Sequence, residues 1–217
     1  MPCQFPLLRL QTHNYTTPAT TRLQTRKTID KLNAEMNTIL KIEIPASRTF
    51  IDSIRVRAKE SDGEVVIIAH SSKNGIWLHT KSFYPPETYR LPTGRISPGE
   101  APEAAFQREI FEEFGSPAQI KFKLGVLRYK FINGAEIAYF ESHVFLAAEL
   151  FEHPHPTSSE ESISQFIETD INGLRLAAAR LRSLPGDWHD WGAFRAPAHD
   201  FTADQLQAIN NCANSTI

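Results

Sequence analysis

GRISPGEAPEAAFQREIFEEFGS, residues 94–116, is the stretch on which the fold turns. Its first half is dense in Gly and Pro and reads as a loop. Pro102 suits the first position of a helix, and Gly115 sits where a C-terminal cap belongs. The spacing between them predicts a helix running to about Phe114. At about 100° per residue, with Glu109 at zero, Glu113 falls near 40° and Glu112 near 300°, so the three carboxylates share an arc of roughly 100°. Ile110, Phe114, Phe111 and Ala104 lie at roughly 100–220°, which makes theirs the face expected to meet a core.

Three like charges at this spacing repel by a few tenths of a kcal/mol per pair in water, and by more when shielded from it. Arg108, four residues before Glu112, offsets only part of that. A solvated acidic face is the plain reading. The other is that the carboxylates hold a hard divalent cation such as Mg²⁺ or Mn²⁺, which takes oxygen ligands.

Outward from the helix, the chain alternates between strand and helix patterns. Residues 1–25 are polar and Thr-rich and read as an arm, and the apolar spacing over residues 26–41 predicts an amphipathic helix that Pro45 closes. IRVRAKE alternates and reads as strand-like, EVVIIAH as a buried strand, and GIWLH as a third strand after an SKNG turn. IKFKLGVLRYKF and AEIAYFESHVFLAAEL predict two long strands around an INGA hairpin turn, and FEHPHPTSSEES a loop. Thr169 is placed as the cap of a helix to about Leu184. DWHDWGAFRAPAHDF reads as irregular, and Thr202 with Gln205 as a capping box for a last helix. The expected architecture is one mixed α/β (α+β) domain: an arm and helix over 1–45, a core over 46–170 and a helical extension packed on it over 171–217.

The formal net charge of −2 over 217 residues gives no support for a nucleic-acid or membrane-surface role, so neither partner is expected. Cys3 and Cys212 stand at opposite ends, so free thiols are expected rather than a disulfide framework. The start has too short an apolar run for a signal peptide, and no window approaches a membrane span. A cytoplasmic protein is the expectation.

Gly94, Glu100, Arg108, Glu109, Ile110, Glu112, Glu113 and Gly115 together resemble the signature of the Nudix hydrolases at eight fixed positions. Ser116 departs from the signature's final aliphatic residue, and Thr93 stands where many members have glycine. The resemblance implies an α/β/α sandwich around a mixed sheet. It also implies that Glu109, Glu112 and Glu113 hold Mg²⁺ or Mn²⁺, with the carbonyl at Thr93 or Gly94 completing the shell. Arg108 would orient the carboxylates and Glu100 would support the loop-to-helix junction. The implied reaction is attack of water on a phosphorus of a nucleoside diphosphate linked to another group, such as a nucleotide sugar like ADP-ribose or a dinucleotide. Members often recruit one further glutamate beyond the signature, and TSSEES offers Glu160 or Glu161; Glu141 and Glu149 are weaker alternatives. A proline that marks ADP-ribose hydrolases about 16 residues past the signature is absent, with Ile132 in its place. A non-catalytic nucleotide-binding domain of the same type is the alternative, although a pure binder has no need of mutually repelling glutamates. Isomerisation of a prenyl diphosphate would need a catalytic core cysteine, and both cysteines are terminal.

Away from the signature's fixed positions, Arg95 is a candidate for contact with substrate phosphate. Tyr84, Tyr89 and Arg90 are substrate-binding candidates that could line a base pocket, and a packed aromatic loop explains them equally well. HPHP (residues 153–156) reads as a loop in preference to a zinc site. Trp188, Trp191, Phe194 and Arg195 could stack a nucleobase, but packing of the extension or a homodimer contact is the preferred reading.

Overall fold

The computed structural model describes residues 38–73, 75–157 and 162–214. Seven strands form one mixed sheet: β1 (Thr38–Pro45), β2 (Glu64–His70), β3 (Ile76–Lys81), β4 (Thr93–Arg95), β5 (Ile120–Asn133), β6 (Glu136–Leu150) and β7 (Ile163–Thr169). Their order is β1-β5-β6-β2-β3-β7, with β4 paired to β2. β1 runs parallel to β5 and β2 parallel to β6, while the other pairs are antiparallel. β2 is the central spine and is buried on both faces, as its unbroken β-branched run anticipates.

Each face carries helices. Val66 and Ile68 of β2 join a core with Ile51 and Ile54 of α1 (Arg48–Glu60), Leu174 of α3 (Ile171–Arg182) and Phe194 and Phe201 of α4 (His189–Asn214). Val65, Ile67 and Ala69 point the other way, onto Phe106, Ile110 and Phe114 of α2 (Pro102–Phe114). The result is an α/β/α sandwich around a mixed sheet. No described helix is long and apolar enough to cross a membrane.

The long strands, the hairpin between them and both ends of α2 lie where the sequence puts them. Gly115 closes α2 with φ 74° and its N–H donates to Phe111 O. Five local expectations give way. Residues 38–41, read as the end of a helix, belong to β1; the rest of that expected helix lies outside the described residues. IRVRAKE is the second half of α1, capped by Ser47, whose Oγ accepts from Phe50 N at 3.2 Å. Its alternation is misleading because Ile51 and Ile54, three apart, are the buried pair, while Val56 is exposed. Burying each isoleucine contributes roughly 2 kcal/mol, more than any local propensity difference opposes. Asp170, not Thr169, caps α3 by accepting from Gly173 N at 2.7 Å. DWHDWGAFRAPAHDF, read as irregular, is helical, and the expected capping box at Thr202 is absent because α4 passes straight through it and through Pro197. Phe194, Ala198 and Phe201 recur on one face and carry the helix onto the core.

α3 and α4 approach closely at Gly192, where an added Cβ would stand 2.0 Å from the Leu181 carbonyl oxygen. Backbone cannot yield as a flexible side chain does. Gly192→Ala is therefore expected to destabilise the fold by about 1–3 kcal/mol, as overpacking does. A shift in the urea midpoint without change of slope would show it; an unchanged midpoint would refute it.

Candidate active site

β4 and α2 meet at the site. β4 pairs with β2 over Thr93, Gly94 and Arg95, which fixes the loop at its start. Asp62 accepts the N–H of Gly99, and Glu100 accepts that of Ser97, which fixes its end. Across this loop lies Glu109, so close that a Cβ at Gly94 would stand 1.9 Å from its Cγ and Cδ.

The glutamate helix is turned from its expected pose. Its buried residues are Ala105, Phe106, Glu109, Ile110, Glu113 and Phe114, whereas Phe111 is 48% exposed and Ala104 is also outside the core. Relative to the expected apolar face, the buried face is rotated by roughly 100° at helical spacing, toward the glutamates. Glu113 is fully buried, Glu109 nearly so, and Glu112 remains at the surface. The acidic arc is therefore not a solvated face.

Arg108 ties the cluster together. It donates to Glu109 at 2.6 Å, Glu112 at 3.4 Å, Glu100 at 2.9 and 3.2 Å, and the Arg95 carbonyl at 2.7 Å. Its hydrogen bond to Glu100 holds that carboxyl below its ordinary range. Among the described residues no three His, Cys, Asp or Glu side chains converge so as to hold a metal ion. The donor set nevertheless fits a hard divalent cation in kind: three carboxylates, two of them withdrawn from water, with the Gly94 backbone fitted against one of them.

Glu160 and Glu161 lie outside the described residues. The loop before them is anchored on α2, since Thr157 donates to the Glu112 carbonyl through N (2.8 Å) and Oγ1 (3.2 Å). Glu141 pairs with Arg128, and Glu149 accepts from Gln119 N.

Beside the glutamates opens a cleft of about 640 Å³. Among the described residues, Arg57, Lys81, Arg90, Arg95, Arg108 and Arg195 line it together with Glu109, and Tyr84, Trp188 and Trp191 form an aromatic side. Of the residues singled out in the sequence, Arg90 and Arg95 are brought here together with Tyr84. Tyr89 is not; its hydroxyl donates to Gln165. In the Trp188–Arg195 segment, Trp188 and Trp191 pack against Ala178, Leu181, Leu184 and Ala196, the preferred packing of the extension. Phe194 enters the core, while the two tryptophans face the cleft.

A charge network that sequence reasoning missed lies beneath the cleft. Glu64, 1% exposed, accepts from Arg195 Nη1 at 2.7 and 2.8 Å, Arg57 Nη2 at 2.8 Å and Ser142 Oγ at 2.8 Å. Burial alone would raise its carboxyl; Arg195 and Arg57 overcome that and hold it below the ordinary value. A glutamate opening a buried strand was the one available signal, since such a charge needs a partner. His199 of α4 accepts the Leu91 N–H at 3.0 Å and donates to the Arg195 carbonyl at 3.1 Å, so the strand before β4 is pinned to α4. Burial pushes this histidine down to about 3, so the ring is neutral.

The chain matches the family described as the NUDIX domain over residues 61–189. No curated protein matches it. Among solved structures it is similar to a MutT protein from Methanosarcina mazei Go1, at 16% identity over 67% of this chain and 95% of that one, with a TM-score of 0.47. It is also similar to a MutT NUDIX hydrolase from Burkholderia pseudomallei, at 18% identity over 65% and 97%, with a TM-score of 0.44. A NUDIX hydrolase from Nitrosomonas europaea is 14% identical over 70% and 91%, with a TM-score of 0.45. With the family match spanning more than half its length, the chain belongs to the Nudix family of pyrophosphohydrolases.

Proposed function

We propose that this protein is a metal-dependent hydrolase that cleaves the pyrophosphate linkage of a nucleoside diphosphate joined to another moiety, a nucleotide sugar such as ADP-ribose or a dinucleotide. The observation that carries this reading is a cleft lined by six cationic side chains among the described residues, with the helix that buries Glu109 and Glu113 along one side. A pyrophosphate diester needs positive charge around its oxygens and a carboxylate set beside its phosphorus.

In this reading Glu109, Glu112 and Glu113 hold Mg²⁺ or Mn²⁺ together with the carbonyl at Thr93 or Gly94. The bound cation supplies charge neutralisation at the pyrophosphate and acidifies water. Arg108 keeps Glu109 and Glu112 oriented, and Glu100 fixes Arg108 from behind. Arg95 and Arg90 contact the substrate phosphates. A water oxygen bonds to one phosphorus as the bridging P–O bond breaks, and the water proton passes to a carboxylate, for which Glu160 or Glu161 is proposed. The cytoplasm is the proposed compartment.

Gly94→Ala tests the fit between loop and helix. The atoms that a new methyl would meet belong to a side chain, so folding is expected to survive while Glu109 is pushed aside. A misplacement of this size can cost about 100-fold in turnover, and kcat measured beside the melting temperature reports it.

The decisive experiment is a hydrolysis screen with Mg²⁺ or Mn²⁺ against ADP-ribose, nucleotide sugars, dinucleoside polyphosphates and nucleoside triphosphates, with Glu113→Gln alongside. Metal-dependent turnover lost in the variant supports the reading and names the substrate class. Tight nucleotide binding with no turnover of any compound would overturn it in favour of a nucleotide sensor.

A further inference from the structure

Arg90 is 4% exposed, yet among the described residues its side-chain hydrogen bonds go to neutral groups. Nε donates to Tyr84 Oη at 2.8 Å, and Nη1 donates to the Leu91 carbonyl at 2.8 Å and Thr93 Oγ1 at 2.9 Å. Next to it, Arg57 and Arg195 share the single carboxylate of Glu64. Among the described residues, two buried guanidinium groups, Arg90 and Arg195, and the half-buried Arg57 face one buried carboxylate, which leaves positive charge in excess at the back of the cleft. Burying charge in that state is costly unless an anion completes it.

The anion's neighbour is legible from the same wall. The Tyr84 and Trp191 ring centroids are 4.8 Å apart, Trp188 and Trp191 5.1 Å, and Tyr84 and Trp188 5.8 Å. All three rings are half-buried and line the cleft. The Arg90 guanidinium lies 5.7 Å from the Tyr84 ring centroid, so cation and aromatic wall form one unit. A planar ring attached to a phosphate matches both parts, and a cleft of about 640 Å³ has room for it.

We infer that Tyr84, Trp188 and Trp191 stack the base of the nucleotide half of the substrate, while Arg90, backed by Arg57 and Arg195, receives the phosphate nearest that base. This rests on the hydrolase reading and adds to it. Selection of the nucleotide then lies in the β3–β4 loop and at the start of α4, away from the glutamate helix.

The test needs no turnover. In EDTA, the full-length protein is titrated with AMP, adenosine and inorganic phosphate, and tryptophan fluorescence is read. Trp188 and Trp191 stand at the wall, whereas Trp77 is buried on the α2 face with Nε1 donating to the Phe151 carbonyl. AMP is expected to quench fluorescence and to bind about tenfold or more tightly than either fragment. Trp191→Leu is expected to weaken AMP by about tenfold, the scale of one base–aromatic stack. Arg90→Gln is expected to weaken AMP by at least as much, and Arg90→Lys, which keeps the charge, to retain most of the affinity. Should Arg90→Gln fail to fold, Trp188→Leu, on the half-buried wall, replaces it with the same expected loss. Equal affinity for AMP and phosphate would overturn the assignment, as would undiminished AMP binding in the Trp191 and Arg90 variants. Since no metal is present, AMP binding with these losses in a protein that hydrolyses nothing would sink the hydrolase reading and leave the subsite standing. Hydrolysis without such binding would do the reverse.

Discussion

Glu113→Gln is expected to lower kcat by more than about 100-fold while the protein stays folded. Losing an outer-shell partner of a metal ligand already costs about 10–100-fold, and in the proposed mechanism Glu113 is itself a ligand. The substitution preserves shape and removes one charge, which matters because Glu113 is fully enclosed and stands one turn from Glu109. Like charges four apart on a helix oppose each other. The melting temperature of the variant, with metal absent, is therefore expected to hold or rise. A kcat within tenfold of the parent would remove Glu113 from the ligand set. A collapsed melting temperature would trace the loss to folding.

Glu64→Ala is expected to have the largest effect on stability. The substitution leaves Arg195 and Arg57 with no carboxylate at the back of the cleft, beside Arg90. Breaking a buried ion pair from one side costs about 3–5 kcal/mol, a large part of the roughly 5–15 kcal/mol that a domain possesses. For a chain of this size that is a fall of roughly 6–20 °C in melting temperature. The pH dependence supplies a second check. Because the Glu64 carboxyl is lowered in the fold, its contribution is complete above the unfolded value and is lost as pH falls through the folded one. The parent should lose stability below about pH 4.5 in a way that Glu64→Ala does not. Equal acid slopes in the two proteins would contradict the assignment.

These two residues mark the reach of sequence reasoning. Pro102 and Gly115 delimit α2 through local backbone chemistry, and local chemistry is legible in a chain. Which way α2 faces depends on what stands opposite. The apolar side chains alone pointed to Phe111 and Ala104, but the helix turns Glu109 and Glu113 inward, with Gly94 close against Glu109 and Arg108 holding Glu109, Glu112 and Glu100. The Glu64 network joins residues 7 and 131 positions apart, and no local window contains it. Ile54 and Val56 misled for a related reason: alternation and helical spacing overlap in short segments, and only the core decides between them.

The placement of Arg57 and Arg195 on α1 and α4 also bears on where the protein begins and ends as a thermodynamic object. Both lie outside residues 61–189, the segment by which the family is recognised. A fragment trimmed to that segment would keep Glu64 and every glutamate of α2 but lose both guanidinium partners of Glu64, and with α1 and Phe194 a layer of the core. The unit that heredity makes recognisable is thus smaller than the unit these buried contacts tie together.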